Sequence, residues 1–428
     1  MILRGQSHRY WGWLALALLV VGLGLFMAAR VWGGGLPDRD PDAPIEGVSA
    51  TGATPAADAP IVPVDDLALL ADSIADQPEF IGGVLVARGD DVLFRQVYGP
   101  KDVRGSDPLT VTSGFRLASI SKQFTAAAIL KLQDDGVLNV EDPVCRWITP
   151  CPEAWVEMRI RHLISHTSGL PDLMQRPGWG EVRVRPTNLE ELTRDSARYG
   201  LRYTPGERAS YNNAGFNLAA HIVQIASGQS YESYLSDRFF KPLGMTSTGL
   251  GDDGNVVMGH ARVGGRLIPQ TVPNVSVVMG AGALYSTLDD MFKWERALHS
   301  GRVLSEAAYR DMIRNHAPPP PDDGRFRVPR AWGYGLFAGT PGLQVYPAFE
   351  DRQIYHTGSW SGFRNIMTYQ PDQEITVIVL SNEYHQSRRV LLISQRAMAE
   401  VLGRPFPTGM RDLETGQPSG QQTGPSAE

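Results

Sequence analysis

The stretch that decides the fold is Ser119-Ile120-Ser121-Lys122, at the start of an apolar, helix-forming run that extends to Leu132. On a helix, residues three apart share a face, so the Ser119 hydroxyl and the Lys122 ammonium group can meet. The first helical turn also offers unpaired N–H groups and the positive end of the helix dipole, which stabilise a developing negative charge. The pattern therefore predicts an activated serine nucleophile.

The composition excludes several classes of protein. The chain has 428 residues, 42% of them hydrophobic and 20% charged, which is typical of a folded soluble protein with one large domain or two. The net charge of −6 and the lack of long basic runs argue against nucleic acid as a partner. The sequence makes no prediction of the oligomeric state.

The N-terminal segment has the properties of a membrane anchor. Trp11 to Ala29 is a run of 19 uncharged residues, nearly long enough to span a bilayer as a helix. Arg4 and Arg9 precede this run and acidic residues follow Arg30. The positive-inside rule then predicts a cytoplasmic segment at 1–10, a transmembrane signal-anchor at 11–32 and an exported remainder. A cleaved signal peptide, and hence secretion, is the alternative.

Composition also predicts where the folded part begins and ends. Residues 33–63 are rich in Gly, Pro, Ala and Asp, as in a flexible stalk. The tail at 404–428 is rich in Gly, Pro, Gln and Ser, which predicts disorder. The folded domain is therefore predicted to cover residues 64–403.

Strand patterns occur at both ends of this domain, and helical patterns fill its middle. The predicted strands cover 81–87, 92–98, 353–357, 363–369 and 375–380, and the predicted terminal helices cover 65–75 and 388–401. This order predicts an α+β fold, an α/β sandwich. An antiparallel sheet from both chain ends is flanked by the terminal helices, and a large helical insertion leaves a cleft for the site.

Cys145 and Cys151 are the only two cysteines and lie close together around a proline-containing turn. Two neighbouring cysteines in an exported protein more often form a disulfide than stay free. His162 and His166 have a metal-ligand spacing, but no third ligand accompanies them. We therefore predict a disulfide and neither a metal nor an organic cofactor.

Tyr211-Asn212-Asn213 is a second candidate for the site. A tyrosine beside an amine can exchange protons with it, although a phenol with a pKa near 10 needs a nearby cation to act as a base near neutrality. The two-sided amide of Asn213 can hold both Lys122 and a substrate amide. We therefore predict that Tyr211 and Asn213 lie beside Lys122.

His356-Thr357-Gly358-Ser359 is the third candidate, at the end of a predicted strand. Its small residues allow a substrate backbone to lie along the strand edge. The N–H groups of Ser359 and Ser119 can then form an oxyanion hole.

These motifs together resemble the penicillin-recognising serine hydrolases, the β-lactamase-like superfamily. The resemblance is carried by S-I-S-K at 119–122, Y-N-N-A-G-F at 211–216 and H-T-G-S at 356–359, with further similar stretches at 166–171 and 280–284. The match is closest to the class C branch, which includes β-lactamases, D-peptidases and esterases. Ser210-Tyr211-Asn212 also fits an S-x-N motif, but the residues that follow fit the class C pattern better, which leaves Asn212 as a bystander.

The resemblance implies a covalent mechanism. Ser119 attacks a carbonyl, Lys122 and Tyr211 move its proton to the leaving group, and water hydrolyses the acyl-serine. Which of the two is the base stays open at this point. The implied substrate is an ester, an amide or a peptide containing D-amino acids. A slow-deacylating penicillin-binding or cell-wall sensor protein and a true class C β-lactamase are the alternatives.

His356 departs from the family pattern, which most often has lysine there. Histidine is mostly neutral at pH 7, so carboxylate-bearing substrates such as penicillins should be held less firmly. We expect their affinity to rise as the pH falls through about 6.5, unless Arg364 supplies the charge. Aromatic residues predicted to wall the pocket are Trp179, Trp332, Tyr334 and Trp360.

Overall fold

The computed structural model describes residues 67–419, apart from 78, 104–106, 252–253, 321–326 and 414. The predicted cytoplasmic segment, signal-anchor and stalk at 1–10, 11–32 and 33–63 lie outside the described residues and stay predictions. Within the described ranges, no helix has both the length and the apolar character needed to cross a membrane.

A seven-stranded antiparallel sheet forms the centre of the domain, in the order β2-β1-β7-β6-β5-β4-β3. Its first two strands come from one end of the domain and the other five from the other end, so the predicted fold class is confirmed. The strands are β1 (Gly82–Arg88), β2 (Asp91–Tyr98), β3 (Arg330–Trp332), β4 (Phe337–Gly339), β5 (Gln353–Trp360), β6 (Phe363–Gln370) and β7 (Ile375–Ser381).

One face of the sheet carries the terminal helices α1 (Ala68–Ala75) and α7 (Ser387–Leu402), which pack together over apolar residues of β1 and β7. The other face packs against the helical insertion. Its longer helices are α2 (Lys122–Asp134), α3 (Leu189–Ala197), α4 (Asn213–Ser227), α5 (Leu288–His299) and α6 (Glu306–Ile313).

Short elements connect these parts. The short helices are Ile160–Ile164, Trp179–Val182, Tyr231–Leu235 and Met279–Gly282, with a π turn at Ser236–Phe240. The 3-10 turns are Ala118–Ser121, Val144–Arg146, Glu153–Trp155, Leu173–Gln175, Val275–Val278 and Pro341–Gln344. The short strands are Phe115–Arg116, Gly249–Leu250, His260–Val263, Arg266–Pro269, Leu284–Ser286, Val345–Tyr346 and Gly409–Met410.

The C-terminal boundary of the domain needs correction. We predicted disorder from Arg404 onwards, but the strand Gly409–Met410 pairs with Val345–Tyr346. Arg404 also donates hydrogen bonds to both carboxylate oxygens of Asp351, at 2.9 and 2.8 Å. The composition predicted disorder, but long-range backbone pairing keeps the described part of this segment on the domain.

The free edge of β5 is the feature of the sheet that matters most for the site. β4 pairs only with Gln353–Tyr355 of this strand. From His356 onwards, the edge that faces away from β6 has no strand partner among the described residues. Side chains alternate along β5, so His356 and Gly358 point toward the helical insertion, whereas Thr357 and Ser359 point away from it and are exposed.

The two cysteines lie at the periphery of the helical insertion. A disulfide joins Cys145 to Cys151, whose Cα atoms are 5.3 Å apart. The bond closes a short loop, so it constrains a local turn rather than the whole domain.

Candidate active site

Ser119 lies in the 3-10 turn that precedes α2, rather than in the first turn of an α-helix as we predicted. The turn is tight because Ala118 adopts a positive φ of 52°. It also packs directly against β5, since a Cβ atom on Gly358 would lie 2.2 Å from the Leu117 carbonyl oxygen. Asn365 on β6 donates a hydrogen bond to the same oxygen at 3.2 Å. The serine is thus held by the sheet as well as by its own helix.

Lys122 is fully buried and surrounded by hydrogen-bond acceptors. Its Nζ atom donates to Ser119 Oγ at 3.3 Å, Asn213 Oδ1 at 2.9 Å and the Ala281 carbonyl oxygen at 2.8 Å. Burial lowers the pKa of Lys122 to about 7, although the Asp172 carboxylate opposes the shift. The amine is therefore partly neutral near neutral pH and lies beside the serine, as a general base requires.

Asn213, the first residue of α4, is oriented by Asn212 and Asp172. Asn212, which we interpreted as a bystander, caps this helix, and its side chain accepts a hydrogen bond from the Gly215 N–H at 2.7 Å. Asp172 Oδ2 accepts from the Asn213 backbone N–H at 2.6 Å and from Asn213 Nδ2 at 3.0 Å. Because the amide nitrogen is occupied in this way, the amide oxygen faces Lys122.

Tyr211 lies next to both Ser119 and Lys122. Its phenol is hydrogen-bonded to the Ser119 side chain, and Lys122 Nζ is 4.8 Å from the centre of its ring. Desolvation raises the pKa of Tyr211 above its usual value. His166 stacks on the ring at 4.4 Å, and its Nδ1 accepts from the Asn212 N–H at 2.9 Å. Tyr211 is therefore protonated before the reaction and firmly positioned.

His356 lies on the strand side of the cleft and is buried. Its Nδ1 donates to the Thr357 carbonyl oxygen at 2.7 Å, and its buried Nε2 has no hydrogen-bond partner among the described residues. Burial and repulsion by Lys122 lower its pKa to about 3. The expected gain of positive charge near pH 6.5 is therefore wrong, because protonation would add a second buried cation beside Lys122.

Arg364 does not supply the missing charge beside His356. Its guanidinium group donates to the hydroxyl groups of Ser359 and Ser387, the latter at 2.7 Å. It also stacks over the ring of Tyr384 at 3.7 Å. The group is thus engaged at the first turn of α7.

The four aromatic residues predicted to wall the pocket differ in where they lie. Trp332 contacts the edge of His166 at 5.5 Å and so borders the cluster around Tyr211. Tyr334 and Trp360 are instead buried in the core, where Tyr334 stacks on His316 at 3.7 Å. Trp179 is half-buried in the short helix it begins.

Sequence reasoning missed several neighbours of the serine and lysine. The Ala281 carbonyl could not be found from side-chain patterns, because its role depends on backbone position alone. Asp172 directly follows the stretch at 166–171 that resembles the family, so the recognised motif did not include it. Phe337, stacked on His356 at 5.1 Å, had no local signal.

The serine is hydrogen-bonded to a buried lysine and lies where an antiparallel sheet meets a helical insertion. This arrangement defines a serine hydrolase fold of the β-lactamase and penicillin-binding type. The Beta-lactamase family profile matches residues 70–400, and the chain belongs to this family.

Several proteins are similar to this chain. A penicillin-binding protein of Bacillus subtilis is 29% identical over 79% of this chain and 76% of its own length. A D-aminopeptidase of Gluconobacter oxydans is 28% identical over 76% of this chain, which spans only 59% of that relative. An octameric penicillin-binding protein homologue from Pyrococcus abyssi has 26% identity and a TM-score of 0.68, covering 79% of this chain and 78% of its own.

A more distant structure shares the fold alone. The D-amino acid amidase of Ochrobactrum anthropi has 23% identity and a TM-score of 0.64, covering 78% of this chain and 96% of its own.

Proposed function

We propose that the protein hydrolyses an ester, an amide or a peptide containing D-amino acids through an acyl-serine intermediate. The observation that carries this proposal is the contact of 3.3 Å between Lys122 Nζ and Ser119 Oγ, made by an amine whose pKa is about 7. A lysine in this state can accept the serine proton at neutral pH, whereas an exposed lysine cannot.

Acylation begins when neutral Lys122 removes the proton from Ser119 and the serine oxygen attacks the substrate carbonyl. The N–H groups of Ser119 and Ser359 receive the oxyanion. Tyr211 then donates its proton to the leaving group, and the bond to that group breaks. Lysine serves as the base and tyrosine as the acid because the pKa of Lys122 is lowered and that of Tyr211 is raised.

Deacylation returns Lys122 and Tyr211 to the protonation states they had before the reaction. Tyr211, now ionised beside the Lys122 ammonium group, removes a proton from water, which attacks the acyl carbonyl. Ser119 leaves as the acid product forms, and Lys122 returns the proton to it. The cycle consumes one water molecule and needs no cofactor.

Two observations favour ester or peptide substrates over penicillins. Beyond Tyr355, β5 has no strand partner on this edge among the described residues, so an extended acyl chain can lie along it. His356 is uncharged where most β-lactamases carry lysine, so β-lactamase activity should be weak or absent. The name of one similar protein, a D-aminopeptidase, supports a substrate containing D-amino acids.

An extracytoplasmic location belongs to the same proposal. It is supported by the predicted signal-anchor at 11–32 and by the similarity to penicillin-binding proteins. The domain would then act outside the cytoplasm while tethered to the membrane.

The test combines covalent labelling with a substrate panel. A fluorophosphonate probe should label the protein on Ser119, and Ser119→Ala should lose both the label and all turnover. The panel contains p-nitrophenyl esters, D-aminoacyl p-nitroanilides and nitrocefin, and the first two should be hydrolysed faster than nitrocefin. A label that persists on Ser119→Ala would overturn the mechanism. A stoichiometric burst without turnover would favour the slow-deacylating sensor instead.

A further inference from the structure

Asn365 is a buried amide on β6 that lies directly opposite Gly358 of β5. Residues opposite each other in an antiparallel pair project toward the same face of the sheet. Because Gly358 has no side chain, the Asn365 side chain can extend past β5 to the turn that carries Ser119. A Cβ atom on residue 358 would lie 3.0 Å from Asn365 Nδ2. The glycine therefore leaves room for a contact between β6 and this turn.

The Asn365 amide joins three segments of the chain. Its Nδ2 atom donates to the Arg116 carbonyl oxygen at 2.8 Å and to the Leu117 carbonyl oxygen at 3.2 Å. Its Oδ1 atom accepts from the Ser381 backbone N–H at 3.2 Å, at the end of β7. The amide has one possible orientation, because carbonyl oxygens only accept and a backbone N–H only donates. Asn365 thus bonds the segment before Ser119 to the sheet.

The turn itself is weakly held from within. Ala118 has a φ of 52°, a conformation that a residue other than glycine keeps only when its surroundings hold it. The Ile120 N–H donates to the Leu117 carbonyl oxygen at 3.4 Å, which is long for such a bond. The Leu117 N–H donates to the Leu284 carbonyl oxygen at 2.9 Å. Bonds to neighbouring segments, rather than bonds within the turn, therefore set the position of Ser119.

This position matters because the proposed oxyanion hole has one N–H group on each side of the contact. Ser119 lies two residues after Leu117, and Ser359 directly follows Gly358 on β5. The Asn365 amide holds the first segment against the second, so it sets the separation of the two N–H groups. Hydrogen bonds weaken steeply when their distance or angle departs from the optimum, and stabilisation of an oxyanion depends on both donors.

We propose that Asn365 is a positioning residue that fixes the separation of the Ser119 and Ser359 N–H groups without touching the substrate. This inference rests on the proposed function. The two N–H groups receive the carbonyl oxygen of every substrate. Loss of the Asn365 contact should therefore slow the reaction of all esters by a similar factor and leave the binding of an intact ester unchanged.

Two variants of Asn365 test the proposal. Asn365→Asp keeps the shape of the side chain but replaces the donor nitrogen by an oxygen that repels both carbonyl groups. We expect its kcat/KM for p-nitrophenyl esters to fall about 10- to 100-fold. Asn365→Ser should also lose activity, because one hydroxyl hydrogen serves at most one of the two carbonyl groups. The serine variant decides the outcome if the aspartate variant does not fold.

Thr368→Val is the matched control on the same strand. Thr368 is fully buried, and its Oγ1 atom donates to Gln353 Oε1 at 2.6 Å. Its loss should lower the melting temperature, but kcat/KM per folded molecule should stay within about threefold of the parent value. An Asn365→Asp protein that behaves like this control would show a purely structural role and overturn the proposal.

A boronic acid gives a readout that stability alone does not change. Phenylboronic acid accepts the Ser119 oxygen at boron while the serine proton passes to Lys122, and the tetrahedral adduct resembles the transition state. The positioning role predicts that its Ki rises in the Asn365 variants by the same factor by which kcat/KM falls. An unchanged Ki in the folded variants would overturn the proposal.

Calorimetry checks that Asn365 does not act by binding the substrate. A p-nitrophenyl ester can be titrated into Ser119→Ala and into the double variant Ser119→Ala/Asn365→Asp, where the serine cannot react. Equal affinities are expected. Weaker binding to the double variant would make Asn365 part of the substrate site and contradict a positioning role.

The boronate measurement also separates this inference from the proposed function, because it needs the nucleophile but no turnover. Weaker boronate binding to Asn365→Asp supports the role of Asn365 even if the natural chain hydrolyses none of the esters. Fast ester hydrolysis with equal boronate affinity in the parent and the variant refutes that role and leaves the proposed function intact. No boronate adduct in the parent protein would overturn both.

Discussion

The two sides of the cleft differ in how completely their polar groups are satisfied. On the helical wall, formed by Ser119, Lys122, Tyr211 and Asn213, the lysine amine and the asparagine amide are bonded to neighbouring groups at 2.6 to 3.3 Å. On the strand wall, formed by residues 356–359 of β5, the described part of the chain supplies neither a hydrogen-bond partner for His356 Nε2 nor a strand that pairs with the outer edge.

This difference indicates that the helical wall carries out the reaction and that the strand wall selects the substrate. A fully bonded wall has one geometry and can move the same proton for any substrate, which is the purpose of preorganisation. The strand wall gains its missing hydrogen-bond partners only when a substrate binds. Changes to the helical wall, or to the turn that carries Ser119, should therefore affect all substrates alike, whereas changes to the free edge of β5 should depend on the substrate.

The largest effect is expected for Lys122→Arg. Arginine keeps the positive charge but cannot become a neutral base, so kcat/KM should fall about 100- to 10,000-fold for every substrate. The measurement is steady-state hydrolysis of p-nitrophenyl esters. Lys131→Arg on the same helix is the matched control, because Lys131 forms a surface ion pair with Asp135 at 3.3 Å. A Lys122→Arg enzyme with near-normal turnover would assign the base to another group.

A smaller effect is expected for Gly358→Ala. The added Cβ atom would lie 2.2 Å from the Leu117 carbonyl oxygen, so the turn that carries Ser119 must shift away from β5. We expect kcat/KM to fall about 10- to 100-fold, since small misplacements of the nucleophile are costly.

Ser359→Ala serves as the control at the next position. It keeps the backbone N–H and removes only a hydroxyl bonded to Arg364. Its kcat/KM should stay within about threefold of the parent value, as for most substitutions of exposed side chains. Similar losses in both variants would mean that the contact between the turn and β5 is unimportant.

The smallest effect is a shift of the pH profile. With a p-nitrophenyl ester, kcat/KM should rise with pH through about 7, as Lys122 loses its proton. The Asp172 carboxylate raises the pKa of Lys122, so Asp172→Asn should move this limb to lower pH by at least about half a unit. Asp289→Asn, at a surface pair with Arg95, should leave the limb in place. A shift to higher pH in Asp172→Asn would contradict the electrostatic role.

Much of the fold was predictable because its signals are local. The strands at both ends follow from alternating apolar residues, and the terminal helix predicted at 388–401 agrees with α7 (Ser387–Leu402) to within one residue at each end. The tail at 409–410 was missed, because its pairing with 345–346 depends on a segment more than 60 residues away.

The candidate site was likewise predictable only in part. The residue types and their order along the chain were enough to select Ser119, Lys122, Tyr211 and Asn213. No pattern revealed Asp172 or the contact of the Ala281 carbonyl with Lys122, since both reach the site through contacts between distant segments. The lowered pKa of His356 was also beyond local reasoning, because it results from burial and from a lysine elsewhere in the chain.

By itself, the sequence indicated the candidate nucleophile, the family resemblance and the class of fold, since spacing along a helix or strand decides which side chains share a face. Only the tertiary structure decided the pKa values of Lys122 and His356 and the contacts that Asp172 makes with Asn213. Desolvation and Coulomb interactions depend on distances through space, and the packing of the helical insertion on the sheet sets those distances.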